Sequence, residues 1–216
     1  MRVLLISANT ERMNIVPLPL GLNCVAVATR KAGHDVRLLD LMAEKDSKLA
    51  ISEAIASFHP EVIGVSVRNI DNQSMDPLIF LLDQVKNVIN DCRTFSSVPI
   101  ILGGAGYSIF PESALEYLKA DMGIQGEGEG AFPVLLDRMQ RGVDLFGMPG
   151  LYVRGLGLQG ERQYAKVLDE LPLPDEKIWS ITNPDNDESQ EDGRNGWNFQ
   201  HAGRGFFKIQ ASHGSD

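Results

Sequence analysis

The stretch that decides the fold is residues 62–67, which read Val62-Ile63-Gly64-Val65-Ser66-Val67. It is too short for a helix and does not alternate strictly between polar and apolar residues. Such runs are typical of strands that are covered on both faces, as in a parallel sheet. Four more runs of this kind lie on either side of it: Val3 to Ser7, Val36 to Leu39, Pro99 to Leu102 and Met122 to Ile124.

The segments between these runs have the i, i+3, i+4, i+7 spacing of amphipathic helices. The clearest stripe begins at Leu78, after Asp76-Pro77, which predicts a cap followed by a first-turn proline. Other stripes cover Leu22 to Thr29, Ile51 to Phe58 and Phe132 to Met139, the last ending at Gly142. These β-α units predict an α/β protein with a doubly wound, parallel, five-stranded sheet in the flavodoxin-like (Rossmann-like) order 2-1-3-4-5.

The pattern divides the chain into three parts. Residues 1–142 form the α/β domain, and residues 143–175 form a small hairpin and an extended linker. In the hairpin, Leu151 to Arg154 and Gln163 to Ala165 flank a glycine-rich turn. Residues 176–216 include a polar, acidic stretch with few apolar residues, which predicts a largely disordered tail.

Length and charge exclude several classes of protein. The 216 residues correspond to one domain with a tail, and the net charge of −9 argues against a nucleic-acid binder or a polybasic membrane-surface protein. No apolar run approaches the roughly 20 residues that span a bilayer. Two cysteines make neither a disulfide framework nor a four-ligand zinc site. We therefore expect a cytoplasmic protein that has no membrane span.

Ligands of open α/β sheets bind beyond the carboxyl ends of the strands, which here are followed by loops 8–19, 68–75, 103–110 and 125–130. The third loop begins Gly103-Gly104-Ala105-Gly106, and the fourth contains Gly126-Glu127-Gly128-Glu129-Gly130. Glycines let a ligand approach the backbone closely, although they also serve tight strand-to-helix turns. For Glu127 and Glu129 the alternative role is to complement a helix dipole.

Other motifs and residue types are less informative. No loop is a Walker phosphate loop, and the first loop lacks the Gly-x-Gly-x-x-Gly of a dinucleotide site. His34 and His59 precede strands, so they are predicted at the amino ends, opposite the site. Cys24 and Cys92 lie on predicted helices, where we expect each to pack as a small apolar residue.

Five motifs in order resemble one family. They are Pro17-Leu18-Pro19-Leu20-Gly21-Leu22, Ala32-Gly33-His34-Asp35-Val36, Gly64-Val65-Ser66-Val67-Arg68-Asn69, Gly103-Gly104-Ala105-Gly106 and Gly126-Glu127-Gly128-Glu129. Together they look like the amino-terminal cobalamin-binding domain of cobalamin-dependent radical SAM enzymes. That group includes methylases and the anaerobic magnesium-protoporphyrin monomethyl ester cyclase type. The resemblance covers about residues 1–175.

The resemblance implies that cobalamin binds base-off, with its nucleotide tail beside the sheet. The broader fold carries Asp-x-His-x-x-Gly, then Ser-x-Leu, then Gly-Gly, and Ser66 matches the second block in its serine only. If Gly21 stands on the glycine of the first block, the cobalt-ligating histidine is replaced by Leu18. Arg68 is then the candidate that shields the lower face of the cobalt, the alternative being an ion pair with Asp71 or Asp76.

The resemblance also implies which residues contact the cofactor. Ser66 would offer its hydroxyl to the displaced benzimidazole, and Gly103 and Gly104 would leave room for the tail. The full set of expected cofactor-binding residues is Asn9, Thr10, Leu18, Gly21, Ser66, Arg68, Asn69, Asn72, Gly103, Gly104, Ala105, Gly106, Tyr107, Gly126, Glu127, Gly128 and Glu129. No catalytic residue or protein metal ligand is expected.

The sequence differs from that family in the part that would form the catalytic radical SAM core. A radical SAM core needs Cys-x-x-x-Cys-x-x-Cys to hold its iron–sulfur cluster, and these 216 residues lack it. Arg204 to Ser212 resembles a damaged version. We therefore expect a cobalamin-binding module without an iron–sulfur cluster, not catalytic alone, with a radical SAM core on a separate chain or missing. The alternative is a flavodoxin-like enzyme that binds FMN or a nucleotide through the same loops.

Overall fold

A computed structural model describes residues 1–10, 18–72, 76–175 and 178. The five predicted strands are present, as β1 (Arg2–Ser7), β2 (Asp35–Asp40), β3 (Val62–Ser66), β4 (Ile100–Gly103) and β5 (Met122–Ile124). Two shorter strands follow, β6 (Leu151–Val153) and β7 (Gly157–Leu158). The helices are α1 (Leu20–Lys31), α2 (Ser47–Phe58), α3 (Leu82–Phe95), α4 (Ala105–Ile109), α5 (Pro111–Leu118) and α6 (Gly128–Arg141).

The sheet follows the order β2-β1-β3-β4-β5-β6-β7. Its first five strands are parallel and confirm the predicted order 2-1-3-4-5. The prediction of a five-stranded sheet was wrong in number, because the hairpin β6-β7 pairs antiparallel with β5 and makes the sheet seven-stranded. The edge of β5 is thereby covered, which removes unpaired backbone groups from that side.

Helices cover both faces, as a doubly wound sheet requires. Helices α1 and α6 pack on one face, which we call the α1/α6 face, and α2, α3 and α5 pack on the other, the α3/α5 face. Along each strand the side chains alternate between these two cores. Leu5 and Ile101 point to the α1/α6 face, whereas Ile6 and Leu102 point to the α3/α5 face.

Helix α3 begins later than the sequence indicated. The stripe from Leu78 predicted a helix capped by Asp76, but α3 starts at Leu82, and Leu78 is 68% exposed. The preceding loop is closed by its own bonds: the Asn72 side chain accepts from the Ile79 N–H at 3.0 Å and donates to the Pro77 carbonyl at 3.0 Å. These bonds compete with a helical start, so the apolar residues 78–80 lie outside the helix.

Two loops of the site edge contain more helix than expected. Helices α4 and α5, which fill the connection between β4 and β5, were not predicted, and Ala105 to Ile109 were assigned to a loop. Helix α6 begins at Gly128, so Gly128, Glu129 and Gly130 belong to its first turn. Helix α4 therefore starts close to the end of β4, and α6 starts close to the end of β5. The amino termini of these two helices lie at the carboxyl edge of the sheet.

The hairpin differs in its second strand. Its first strand is Leu151–Val153, close to the prediction, but the chain turns back at once through Gly157–Leu158. Gln163 to Ala165 were expected to pair in the hairpin and instead lie beyond it. The predicted tail falls almost wholly outside the described residues, as do Arg204 to Ser212. Within the described ranges, no helix is long and apolar enough to cross a membrane.

Candidate functional site

The carboxyl ends of β1, β3, β4 and β5 meet at one edge of the sheet. The chain leaves β1 toward the α1/α6 face and leaves β3 toward the α3/α5 face, so the topological switch point lies between these neighbouring strands. A small cleft opens there, and it is lined by Ala8, Asn9, Arg68, Asn69, Leu81, Gln84 and Val85. The Thr10 hydroxyl donates to the Gln84 side-chain oxygen at 2.8 Å and joins the first loop to α3.

A row of small residues crosses this edge. Ser7, Ser66 and Gly103 are in register on β1, β3 and β4. By strand alternation all three face the α1/α6 side, on which Leu5 and Ile101 lie two residues earlier. A Cβ placed on Gly103 would meet no heavy atom of the described residues within 4 Å. The open space beside the sheet therefore lies at Gly103, next to the half-buried Ser66, whereas Ser7 is buried.

Gly104 has a different environment from Gly103. Its φ of +98° is one that side-chain-bearing residues rarely adopt, and an added Cβ would stand 2.5 Å from the Val67 carbonyl oxygen. The Gly106 N–H donates to that same oxygen at 3.0 Å, so α4 begins directly against the end of β3. Gly104 thus serves the close approach of two backbones, and the open space lies at Gly103.

Tyr107 turns away from this space. Its ring is fully buried in the α3/α5 core, and its hydroxyl has no hydrogen-bond partner among the described residues. The phenol lies against Gly123 of β5, where an added Cβ would overlap it. Burial raises the pKa of Tyr107, so the phenol stays protonated.

Ser108 links the third and fourth loops, a role that the sequence analysis missed. Its hydroxyl donates to the Gly104 carbonyl at 2.9 Å and accepts from the Gly126 N–H at 3.0 Å. Its own carbonyl accepts from the Gln125 side chain at 3.0 Å. A serine at the end of a glycine-rich loop was the available signal, but nothing in the sequence identified its partners.

Residues that follow the hairpin contact the fourth loop. The Glu127 carboxylate accepts a hydrogen bond from the Ala165 N–H at 2.6 Å, across 38 positions of sequence. The aliphatic part of Arg162 lies on Gly126, where an added Cβ would be 2.9 Å from its Cδ. Gly128 lies against Val25 of α1. Glu129 is in the first turn of α6, where an acidic side chain complements the helix dipole.

Arg68 and Asn72, both in the second loop, have different environments. Arg68 is exposed on the cleft and makes no salt bridge within the part of the chain that the structure describes, so the alternative pairing with Asp71 or Asp76 is not found. Asn72, by contrast, uses its side chain inside its own loop. Leu18 is half-buried just before α1, and a Cβ on Gly21 in the first turn of α1 would meet no atom of the residues that the structure describes within 4 Å.

Two carboxylic acids at and just after the end of β2 have raised pKa values. Burial raises the pKa of Asp40 at the end of β2, partly offset by hydrogen bonds from the Met42 N–H and the Ser7 hydroxyl. Burial also raises the pKa of Glu44, and the charges of Glu53 and Asp40 add to the effect. His34 and His59 lie at the amino ends of β2 and β3, as predicted, and face the opposite edge.

The cysteines do not form a cluster site. Cys24 lies on α1 and Cys92 on α3, which cover opposite faces of the sheet. Burial raises the pKa of Cys92 to about 12, so its thiolate is disfavoured. Among the residues described, no group of three or more His, Cys, Asp or Glu side chains is placed to hold a metal ion.

Known proteins share both this sequence pattern and this fold. The chain is 28% identical over 143 residues to tryptophan 2-C-methyltransferase of Streptomyces laurentii and 30% identical over 135 residues to hopanoid C-3 methylase of Methylococcus capsulatus. These matches cover 64% and 62% of this chain but only 24% of each relative. The chain therefore aligns with about a quarter of the length of these relatives.

A solved structure extends the comparison to three dimensions. The radical S-adenosylmethionine methyltransferase TsrM from Kitasatospora setae, solved with cobalamin and a [4Fe–4S] cluster bound, superimposes with a TM-score of 0.68 at 28% identity. The match covers 74% of this chain and 30% of that one. Residues 7–136, which contain all four loops of the carboxyl edge, match the B12 binding domain family. The chain belongs to this family and is similar to the cobalamin-binding part of the radical SAM methylases.

Proposed function

We propose that the chain binds cobalamin base-off along the row Ser7, Ser66 and Gly103, with the corrin over the loop edge. The observation that carries this proposal is the open space at Gly103, since a Cβ there would meet no atom of the described part of the chain within 4 Å. A cofactor with a long nucleotide tail needs such space beside the sheet. The half-buried Ser66 hydroxyl stands next to it on β3 and can hydrogen-bond the displaced base.

The polar groups around the switch point also fit this cofactor. The corrin periphery carries amide groups, which pair well with other amides and with backbone groups. Asn9, Asn69 and Gln84 supply amide side chains to the cleft, and glycines leave backbone groups accessible on the third and fourth loops. These residues would orient the corrin at the edge, and bound cobalamin supplies a cobalt centre that can carry a methyl group.

The lower face of the cobalt is proposed to have no histidine ligand. If Gly21 is taken as the glycine of the first block of the family pattern, Leu18 takes the position of that histidine, and an aliphatic side chain cannot donate an electron pair. His34 and His59 lie at the opposite edge of the sheet. Arg68 lines the cleft, and a guanidinium offers N–H donors but no acceptor, so it would shield the cobalt without ligating it.

We propose that this domain delivers cobalamin to a radical SAM core and is not catalytic alone. The named relatives are methylating enzymes, and the chain aligns with about a quarter of their length. Cys24 and Cys92 lie on opposite faces of the sheet, so an iron–sulfur cluster on this chain is not expected. Anaerobic incubation with iron and sulfide tests this point, and a stable cluster that cleaves SAM would contradict it.

A binding experiment tests the cofactor. Purified protein is incubated separately with hydroxocobalamin and with FMN, desalted, and measured by absorption spectroscopy. We expect stoichiometric retention of cobalamin and none of FMN. Retention of FMN alone would instead support the flavodoxin-like alternative.

Electron paramagnetic resonance of the cobalt(II) form then tests the coordination. The expected spectrum has no superhyperfine splitting from an axial nitrogen. Such splitting would show that either the benzimidazole or a histidine binds the cobalt, and would overturn the base-off, histidine-off assignment.

A further inference from the structure

Residues 160–175, which we call the strap, are held along the carboxyl edge at three points. At the start, the Gly150 N–H donates to the Gly160 carbonyl at 2.8 Å. In the middle, the Ala165 N–H donates to the Glu127 carboxylate at 2.6 Å. At the end, the Asp175 N–H donates to the Asn23 side-chain oxygen at 2.8 Å, and the Asn23 amide donates to the Asp175 carbonyl at 3.0 Å.

These anchors fix the path of the strap over one face of the sheet. Glu127 immediately precedes α6, and Asn23 is the fourth residue of α1, so both stand at the carboxyl edge. Helices α1 and α6 cover the same face that Ser66 and Gly103 point toward. Between its second and third anchors, the strap passes from the start of α6 to the start of α1. The anchors therefore place the strap on the same face and at the same edge of the sheet as Gly103.

Two of the anchors use a buried amide and a carboxylate. Asn23 is fully buried, and both polar atoms of its amide pair with the backbone of the strap. A buried amide left without such partners is costly, so the contact stabilises this path. The Glu127 bond is charge-assisted. Arg162 adds packing, since its guanidinium lies 4.3 Å above the Tyr164 ring while its stem covers Gly126.

We infer that the strap is the outer wall of the cobalamin site and slows cobalamin release, and that Glu127 is the positioning residue that holds it. This inference rests on the proposed function. It changes the role expected of Glu127 from a direct contact with the cofactor to a contact that acts through the strap. Asn23 fixes the far end of the same wall.

The test compares three variants of the full chain with the wild type, each loaded with hydroxocobalamin. Glu127→Ala removes the anchor, Glu127→Gln keeps an oxygen acceptor for the Ala165 N–H, and Glu161→Ala is a matched control, because Glu161 is an exposed acid within the strap. Cobalamin release is followed by absorption after rapid dilution. Hydrogen–deuterium exchange of peptides over 160–170, read by mass spectrometry, reports on the strap itself.

We expect Glu127→Ala to speed both exchange of the strap and release of cobalamin, the latter about tenfold, as loss of a charge-assisted hydrogen bond predicts. Glu127→Gln and Glu161→Ala should stay within about threefold of the wild type, because neither removes the acceptor. Faster strap exchange with unchanged release would overturn the inference and leave cobalamin binding intact.

Two other results are equally decisive. Faster release in Glu127→Ala without faster strap exchange would show that Glu127 contacts the cofactor directly, which also overturns the inference. If the wild type itself retains no cobalamin, the proposed function fails, and the inference fails with it.

Discussion

The two faces of the sheet are packed differently at the carboxyl ends of the same strands. On the α3/α5 face, Ile6, Val65 and Leu102 form a row in register and are almost completely buried. One residue further along, on the α1/α6 face, the corresponding row is Ser7, Ser66 and Gly103. The strands thus complete a hydrophobic core on one side, and on the other side they leave room at Gly103, although Ser7 is also buried. A ligand beside the sheet can enter only where the packing stops.

The contrast between open space and close packing is clearest at Gly103 and Gly104. They are adjacent in sequence, yet a Cβ on Gly103 meets open space, and a Cβ on Gly104 would stand 2.5 Å from the Val67 carbonyl oxygen. One glycine preserves space for a ligand, and the other preserves contact between backbones. Variants at these two positions separate binding from folding.

The largest expected effect is on folding, at Gly104. Gly104→Ala should lower the free energy of unfolding by about 2–6 kcal/mol, because the backbone strain and the overpacking each cost roughly 1–3 kcal/mol. Urea denaturation followed by circular dichroism measures the change. The same substitution at Gly103 is the control and should stay within about 1 kcal/mol of the wild type, since the new methyl group meets no atom among the described residues. Equal destabilisation by both variants would contradict the distinction between the two glycines.

The next effect is on binding, at Gly103. Gly103→Leu should weaken cobalamin binding by about 100-fold or more, because the side chain fills the space proposed for the nucleotide tail and overpacking costs on the order of 1–3 kcal/mol or more. Equilibrium titration by absorption measures this affinity. Unfolding of the variant in urea should resemble that of the wild type. Unchanged affinity would show that the tail does not pass Gly103.

The parallel strands were predictable because each is a short apolar run between helical stripes, as 62–67 shows. The hairpin was predicted only in part, because Gln163 to Ala165 look like a strand although the Ala165 N–H is used by Glu127. The start of α3 was misplaced because Leu78 is apolar yet exposed. In each case a contact distant in sequence, or an unusual exposure, outweighed the local pattern.

The site could be predicted in outline but not in detail. The position of Ser66 and Gly103 at one edge follows from the order of parallel strands. Which of two adjacent glycines faces open space depends on a backbone angle that the sequence does not reveal. The partner of Glu127 lies 38 residues away, so no local motif could have identified it.

At the switch point between β1 and β3, substitution of Arg68 is expected to change the spectrum of bound cobalt rather than the affinity for cobalamin. Arg68→Ala should let water or added imidazole reach the lower face, because it removes the exposed guanidinium from the cleft. Electron paramagnetic resonance of the cobalt(II) form with imidazole present measures this access. Arg141→Ala, at the far end of α6, is the control. A spectrum that imidazole leaves unchanged in Arg68→Ala would remove Arg68 from the site.

The smallest expected effect is on the α3/α5 face, where the Tyr107 hydroxyl is buried without a hydrogen-bond partner among the described residues. Tyr107→Phe should raise the free energy of unfolding by about 1 kcal/mol, or Tm by about 2–4 °C, because it removes an unsatisfied polar atom and keeps the ring. Thermal and urea denaturation measure the change. Since Tyr107 lies in the α3/α5 core, the affinity for cobalamin should not change. A weaker affinity would show that the phenol contacts the cofactor, as the sequence predicted, and that the open space extends to both faces of the sheet.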